Sequence, residues 1–205
     1  MSKSRSTTKQ KLIETATELI WRNSYGAVSV DEICRKAGVQ KGSFYHFFLS
    51  KSDLALATMD AGMQQVLQNY SEIFSPDNAP IDRFKLLVDH LTQIQVQKQK
   101  ELGHVCGCPM MTLGSELAGR ETDIEAKIKE ICAAQLTFYQ ATLADLASDG
   151  QIDKDTNIKT KAEEIYALIV GQLFLARINN DLNFIKNNLK DAVIDLVGLK
   201  TKALA

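Results

Sequence analysis

Proline is scarce in this 205-residue chain. It occurs three times, at Pro76, Pro80 and Pro109. Because proline breaks helices, the long intervals between these sites are free to be helical. No alternation of polar and apolar residues persists long enough for half-buried strands, so the expected fold class is all-α. Cysteine is also rare, with four residues. That excludes a disulfide framework and leaves packing, redox or metal roles for the thiols. Long apolar runs are missing. The longest, 165–176, has 12 residues with Gln172 inside it, whereas a helix needs about 20 to span a bilayer. The polar stretch Met1–Lys11 lacks the apolar core of a secretion signal. These absences predict a cytoplasmic protein with no membrane partner.

An excess of charge of either sign is nearly absent overall, since the net charge is −1, but the charges are unevenly spread. Residues 1–53 hold nine Lys/Arg against five acids, a net +4, and the remaining 152 residues sum to −5. A basic head on an acidic body suits a protein that presents one end to phosphate. At 45% hydrophobic and 24% charged, the composition is that of a globular chain with enough residues for one large domain or two small ones.

The densest local signals lie between residues 29 and 54. Ser29-Val30-Asp31-Glu32 reads as a capping box that opens a short helix. That helix stops at Gly38, which tolerates the positive φ of a tight turn. Val39-Gln40-Lys41-Gly42-Ser43-Phe44-Tyr45-His46-Phe47-Phe48 follows, basic, aromatic and rich in hydrogen-bonding groups. Ser50-Lys51-Ser52-Asp53 opens another helix. Two short helices about a glycine-containing turn suit major-groove binding, although such a turn also serves as the core of helical bundles that never touch DNA.

The spacing Gly38-Val39-x-x-Gly42-x-Phe44-Tyr45-x-x-Phe48-x-x-Lys51-x-x-Leu54 resembles the DNA-binding signature of TetR-family repressors. The preceding Ile13-x-x-Ala16-x-x-Leu19-Ile20, Tyr25-Gly26 and Ser29-Val30-x-x-Ile33 match the same family's first helix and entry turn. The resemblance covers about 45 residues. It implies a three-helix head followed by a helical ligand-binding and dimerisation domain. The expected division is 1–53 and 54–205.

Along the chain, residues 1–6 read as a mobile basic arm. Helices are expected from Thr7 or Thr8 to about Asn23, over 30–37 and over the segment after Gly38. Further helices are expected at about 51–74, 82–100, 110–118, 123–147, 156–179 and 182–200. That gives about nine, the number usual in the resembled family. Ser75-Pro76-Asp77-Asn78-Ala79-Pro80 is the clearest linker.

Recognition helices put their first residues on base edges, with flanking groups on phosphates. Gln40, Lys41, Gly42 and Ser43 start the candidate helix, and Tyr45 and His46 follow one turn later. Lys41 can reach guanine or phosphate, and Gln40 can pair with adenine. His46 is also readable as a satisfied surface group. Ser29 is a candidate phosphate donor beside its cap role. By resemblance, Tyr45 matches a phosphate- or thymine-contacting tyrosine and Lys51 a phosphate-binding lysine.

His104-Val105-Cys106-Gly107-Cys108-Pro109 breaks the helical pattern, and three roles are open to it. The thiols pack as small hydrophobes. Alternatively, Cys108 before a helix start is a reactive thiolate sensor. Alternatively, His104, Cys106 and Cys108 hold a soft metal, with no fourth ligand evident. Gly107-Cys108-Pro109 followed by Leu113, Glu116 and Leu117 resembles a TetR subgroup associated with electrophile response. A ligand or redox site is expected from Cys106, Cys108, Met110, Met111, Phe138, Tyr139, Phe174 and Arg177. No cofactor is expected.

The segment 165–178 is apolar nearly all round and so needs cover on both sides. Ile165, Ile169 and Leu173, with Ile185, Leu189, Val193 and Leu196 of the last helix, are expected at a homodimer interface. Such a dimer would match a palindromic double-stranded operator. The functional expectation is a DNA-binding repressor released by a small-molecule inducer, an electrophile or an oxidant. The alternatives are a cysteine-based redox enzyme and a metal-binding helical protein. No G-x-G-x-x-G phosphate loop and no catalytic His/Asp set support an enzyme.

Overall fold

The computed structural model describes residues 7–117 and 119–200. Ten helices are present among them: α1 (Thr8–Arg22), α2 (Val30–Ala37), α3 (Lys41–Phe47), α4 (Lys51–Ile73), α5 (Pro80–Leu102), α6 (Pro109–Leu117), α7 (Thr122–Ser148), α8 (Ile158–Asn179), α9 (Asn183–Lys186) and α10 (Leu189–Val197). None of the described helices is long and apolar enough to cross a membrane. The expected basic arm, 1–6, lies outside the described residues.

The chain forms two compact units, and their membership differs from the division expected at residue 53. The first takes the residues up to Gln65 together with Pro109–Ile131; the second takes Val66–Cys108 and the residues from Cys132 onward. Thus α6 and the first part of α7, which lie far along the chain, are part of the head.

In the first unit α1, α2 and α3 pack on one another. Leu12, Ala16 and Leu19 from α1, Ile33 and Cys34 from α2, and Phe44 from α3 make its aliphatic and aromatic core. Leu54 and Met59 of α4, Leu113 of α6 and Ile124 of α7 complete it. The helix starts follow from local chemistry. Ser29 Oγ accepts from Glu32 N at 3.1 Å. At α4 the cap is reciprocal: Asp53 N donates to Ser50 Oγ at 3.0 Å and Ser50 N to Asp53 Oδ2 at 3.1 Å. Each bond satisfies an amide that a helix start leaves without a partner. Gly38 ends α2 with φ +67°, the left-handed conformation that glycine adopts without a Cβ penalty. The Ser52 hydroxyl donates to Glu121 at 3.2 Å, and Lys127 pairs with Asp60 at 3.0 Å.

The second unit is built around rings. Tyr70, Phe74, Phe84 and Tyr139 are buried together, with Leu87, Val88, Leu143, Leu146 and the inner faces of α8 and α10 around them. Tyr139 stands edge-on to Phe84 at 5.7 Å, and Phe74 lies 5.7 Å from Tyr139, separations at which aromatic pairs attract. α10 packs on both α5 and α8. The linker expected at 75–80 is present: the Asn78 side-chain amide donates to the Glu72 and Ile73 carbonyls that end α4, at 3.0 Å each, and Pro80 opens α5. The single last helix expected over 182–200 is instead two, because the chain breaks at Asn187-Asn188. Asparagine side chains compete for backbone partners and favour such breaks.

The residues expected at a dimer interface pack within the protomer. Ile165, Ile169, Leu173, Ile185, Leu189 and Val193 are buried in the second unit's own core, and Leu196 is half-buried against it. Their apolar stripe is satisfied inside the protomer. The large apolar side chains that α8 leaves exposed are Phe174, Leu175 and Ile178, at 51%, 41% and 63%.

Candidate nucleic-acid interface and cysteine segment

α3 is anchored by one residue. Phe44 is completely buried, edge-on to Tyr45 at 5.1 Å and tilted against Phe48 at 5.9 Å. With that ring inward, Gln40, Lys41, Gly42, Tyr45 and His46 are exposed, and Ser43 is half-buried. Tyr45 is held by its contact with Phe44 yet remains 50% exposed. Gly42 has no neighbour within 4 Å of where a Cβ would stand. Nothing in the protomer demands a glycine there, and glycine inside a helix costs about 0.5–1 kcal/mol relative to alanine. The residue leaves room for close approach from outside.

Lys41 pairs with Asp31 of α2 at 2.8 Å, and its hydrogen bond to that carboxylate raises its pKa above the usual lysine range. The Ser29 hydroxyl serves as the α2 cap. Lys51 is more engaged than the sequence implied. Its ammonium donates to the carbonyls of Tyr25 and Val28 at 2.9 Å each, and lies 4.0 Å from the Tyr25 ring centroid. Burial lowers its pKa, with Glu116 pulling the other way. Two residues not expected among the site residues therefore enter the site: Asp31, the partner of Lys41, and Glu116. The Glu116 carboxylate accepts the amides of Tyr25 and Gly26. Leu49, next to the helix, is 86% exposed.

The cysteine segment is strapped down by side chains of its own unit. Buried Gln95 accepts from Gly107 N at 2.8 Å and donates to Gly107 O at 3.1 Å. Asn180 accepts from Val105 N at 2.9 Å, and the Arg177 guanidinium donates to the Cys106 carbonyl at 2.5 Å. Gly107 has φ +66°, and a Cβ there would meet the Leu173 carbonyl oxygen at 3.1 Å. Cys106 is fully buried, its thiol directed to the His104 carbonyl at 3.6 Å. Cys108 is half-buried against the ring core.

Of the expected ligand residues, Cys106, Cys108, Phe138, Tyr139, Phe174 and Arg177 belong to the second unit, whereas Met110 and Met111 belong to the first. Within the second unit they do not form one lining, because Tyr139 is buried and Phe174 is exposed. The structure adds Tyr70, whose hydroxyl lies 3.4 Å from that of Tyr139, and the pair Cys132 and Tyr166, whose sulfur and hydroxyl lie 3.2 Å apart. Burial pushes the Tyr70 phenol up to about 12 and those of Tyr139 and Tyr166 well above the usual range. All three are neutral hydrogen-bonding groups at neutral pH. Cys34, read as core, is buried in the head, and desolvation raises its pKa. Among the described residues no three His, Cys, Asp or Glu side chains are arranged to hold an ion. His104 Nε2 and Cys106 Sγ stand 4.0 Å apart.

The model for bacterial regulatory proteins of the tetR family matches residues 12–58, and that for the tetracyclin repressor-like C-terminal domain matches residues 80–190. An uncharacterised HTH-type transcriptional regulator of Lactococcus lactis is 27% identical, over 88% of this chain and 89% of its own. The crystal structure of a regulatory protein TetR from Rhodobacter sphaeroides superposes with a TM-score of 0.81 at 23% identity, covering 92% of this chain and 98% of that one. Escherichia coli NemR in its reduced form gives 0.77 at 20% identity, covering 96% and 99%.

Proposed function

We infer how this chain works from one premise: it belongs to the TetR family of bacterial regulatory proteins, and it is a transcriptional repressor that binds DNA, not an enzyme. The thiol-enzyme alternative falls with that membership. We propose that α3 enters the major groove of a palindromic operator. Gln40, Lys41, Ser43, Tyr45 and His46 would face bases and phosphates, and Gly42 would let the DNA backbone come close. The observation that carries this is the exposed polar, basic and aromatic face of a helix whose one buried anchor is Phe44. Ser29 and Lys51 flank that face. Two of the three Lys51 ammonium donors hold carbonyls, which leaves one for a phosphate.

The operator's two-fold symmetry calls for a homodimer. The exposed Phe174, Leu175 and Ile178 of α8 are the surface that favours a second copy, because clustered large apolar side chains gain most from being covered. The place of action is the cytoplasm, with the DNA.

Release is assigned to the second unit, by a small ligand or by modification of a thiol. Cys108 is the thiol of choice. It is half-buried, whereas Cys106 is closed off, and it belongs to the unit whose core holds the phenols of Tyr70 and Tyr139, with Tyr166 packed against them. With a maleimide, the Cys108 sulfur bonds to one alkene carbon and the neighbouring carbon gains the proton, so the step consumes no oxidant. A gel shift on the chain's own upstream DNA tests both claims. Binding in reducing buffer should be lost after N-ethylmaleimide and retained by Cys108→Ser, with Cys106→Ser behaving as wild type. Binding unaffected by the reagent leaves a repressor with a non-covalent inducer.

A further inference from the structure

The turn between α1 and α2 is held from two sides by side chains of opposite charge. Its amides at Tyr25 and Gly26 donate to the two carboxylate oxygens of Glu116, at 3.0 Å for Tyr25. Its carbonyls at Tyr25 and Val28 accept from the Lys51 ammonium. Glu116 is on α6 and Lys51 starts α4, and all of these residues lie in the first unit. Gly26 fits the arrangement, because a Cβ there would collide with Glu116 Oε1. The turn sets how α1 meets α2, and α2 sets the placement of α3. A carboxylate accepting two amides makes charge-assisted bonds roughly twice as strong as neutral ones, and aims them.

From this geometry we infer that Glu116 is a positioning residue for operator recognition: it fixes the α1–α2 turn from a helix outside the helix-turn-helix. The inference rests on the DNA-binding role of α3 argued above. Glu116 touches no DNA in this scheme and acts through the turn.

The test uses the full chain as Glu116→Gln and Gly26→Ala. The first replaces one acceptor oxygen with an amide that faces an N–H donor. The second leaves Glu116 charged but expels its carboxylate from the turn. Fluorescence anisotropy would follow binding to the upstream operator duplex and to a scrambled duplex at the same salt, well below the melting temperature. Both variants should bind the operator about tenfold more weakly, in the range typical of coupled sites, while binding to the scrambled duplex stays the same. A general loss of stability would move both duplexes together. Variants that discriminate between the duplexes as well as wild type overturn the role of Glu116. If Glu116→Gln does not fold, Gly26→Ala decides by the same ratio. A wild type that binds both duplexes equally overturns the DNA-binding role of α3, and this inference with it.

Discussion

The two units are stabilised by different means. The head has a modest core of aliphatic side chains with Phe44 and Phe48, and its turns are held by polar groups that reach backbone: Ser29, Ser50, Asp53, Lys51 and Glu116. The second unit is a nest of rings, with Tyr70, Phe74, Phe84, Phe138 and Tyr139 in mutual contact and phenols and thiols among them. Hydrogen bonds and ion pairs are directional and individually exchangeable, whereas close-packed rings resist partial rearrangement. A polar-held head can shift its helices without losing its core.

The strongest way to break that contrast is to remove the one buried anchor of α3. Phe44→Ala should cost about 3–5 kcal/mol and abolish operator binding, while the ring core keeps its near-ultraviolet circular dichroism. Calorimetry should then show two transitions where wild type shows one or two closely spaced. A single transition displaced as a whole would mean that the units unfold together and that the contrast has no thermodynamic meaning. In the second unit the corresponding lesion is Gly107→Ala. It forces a Cβ into the left-handed region against the Leu173 carbonyl and should cost about 1–3 kcal/mol, read as a lower melting temperature with operator affinity per folded molecule unchanged. Unchanged melting would show that Gln95, Asn180 and Arg177 hold the segment loosely.

What the sequence revealed and what it hid follow one line, that of sequence separation. The caps at Ser29 and Ser50, the stop at Gly38 and the turn at 75–80 were legible because each signal and its partner lie within a few residues. Glu116 was not legible as a partner of Tyr25, because 91 residues separate them and nothing local marks a glutamate on a short helix as a cap for a distant turn. The apolar stripe through Ile165, Ile169 and Leu173 revealed burial. It did not reveal whose surface buries it, since a core helix and an interface helix carry the same periodicity. The exposed Phe174, Leu175 and Ile178 became visible only once the inner face was fixed. Lys51 illustrates the same limit within the recognised motif: its spacing was readable, but its carbonyl partners at Tyr25 and Val28 were not.

The smallest expected effect sharpens the contrast at the DNA face itself. Lys41 and Asp31 form an exposed pair, with side chains 53% and 72% accessible, and such solvent-screened pairs contribute little to stability. Lys41→Ala should therefore leave melting nearly unchanged. If Lys41 engages a phosphate, the variant's binding should weaken for all sequences, and the slope of log affinity against log salt should fall by about 1. If it reads a guanine, discrimination should relax at one operator position. Asp31→Asn works in the opposite direction. It frees Lys41 and removes a negative charge from the approaching DNA, so operator affinity should rise a few-fold, with the gain disappearing in the Lys41→Ala background. A gain that persists without Lys41 would mean that Asp31 repels DNA directly and that the pair does not restrain the lysine.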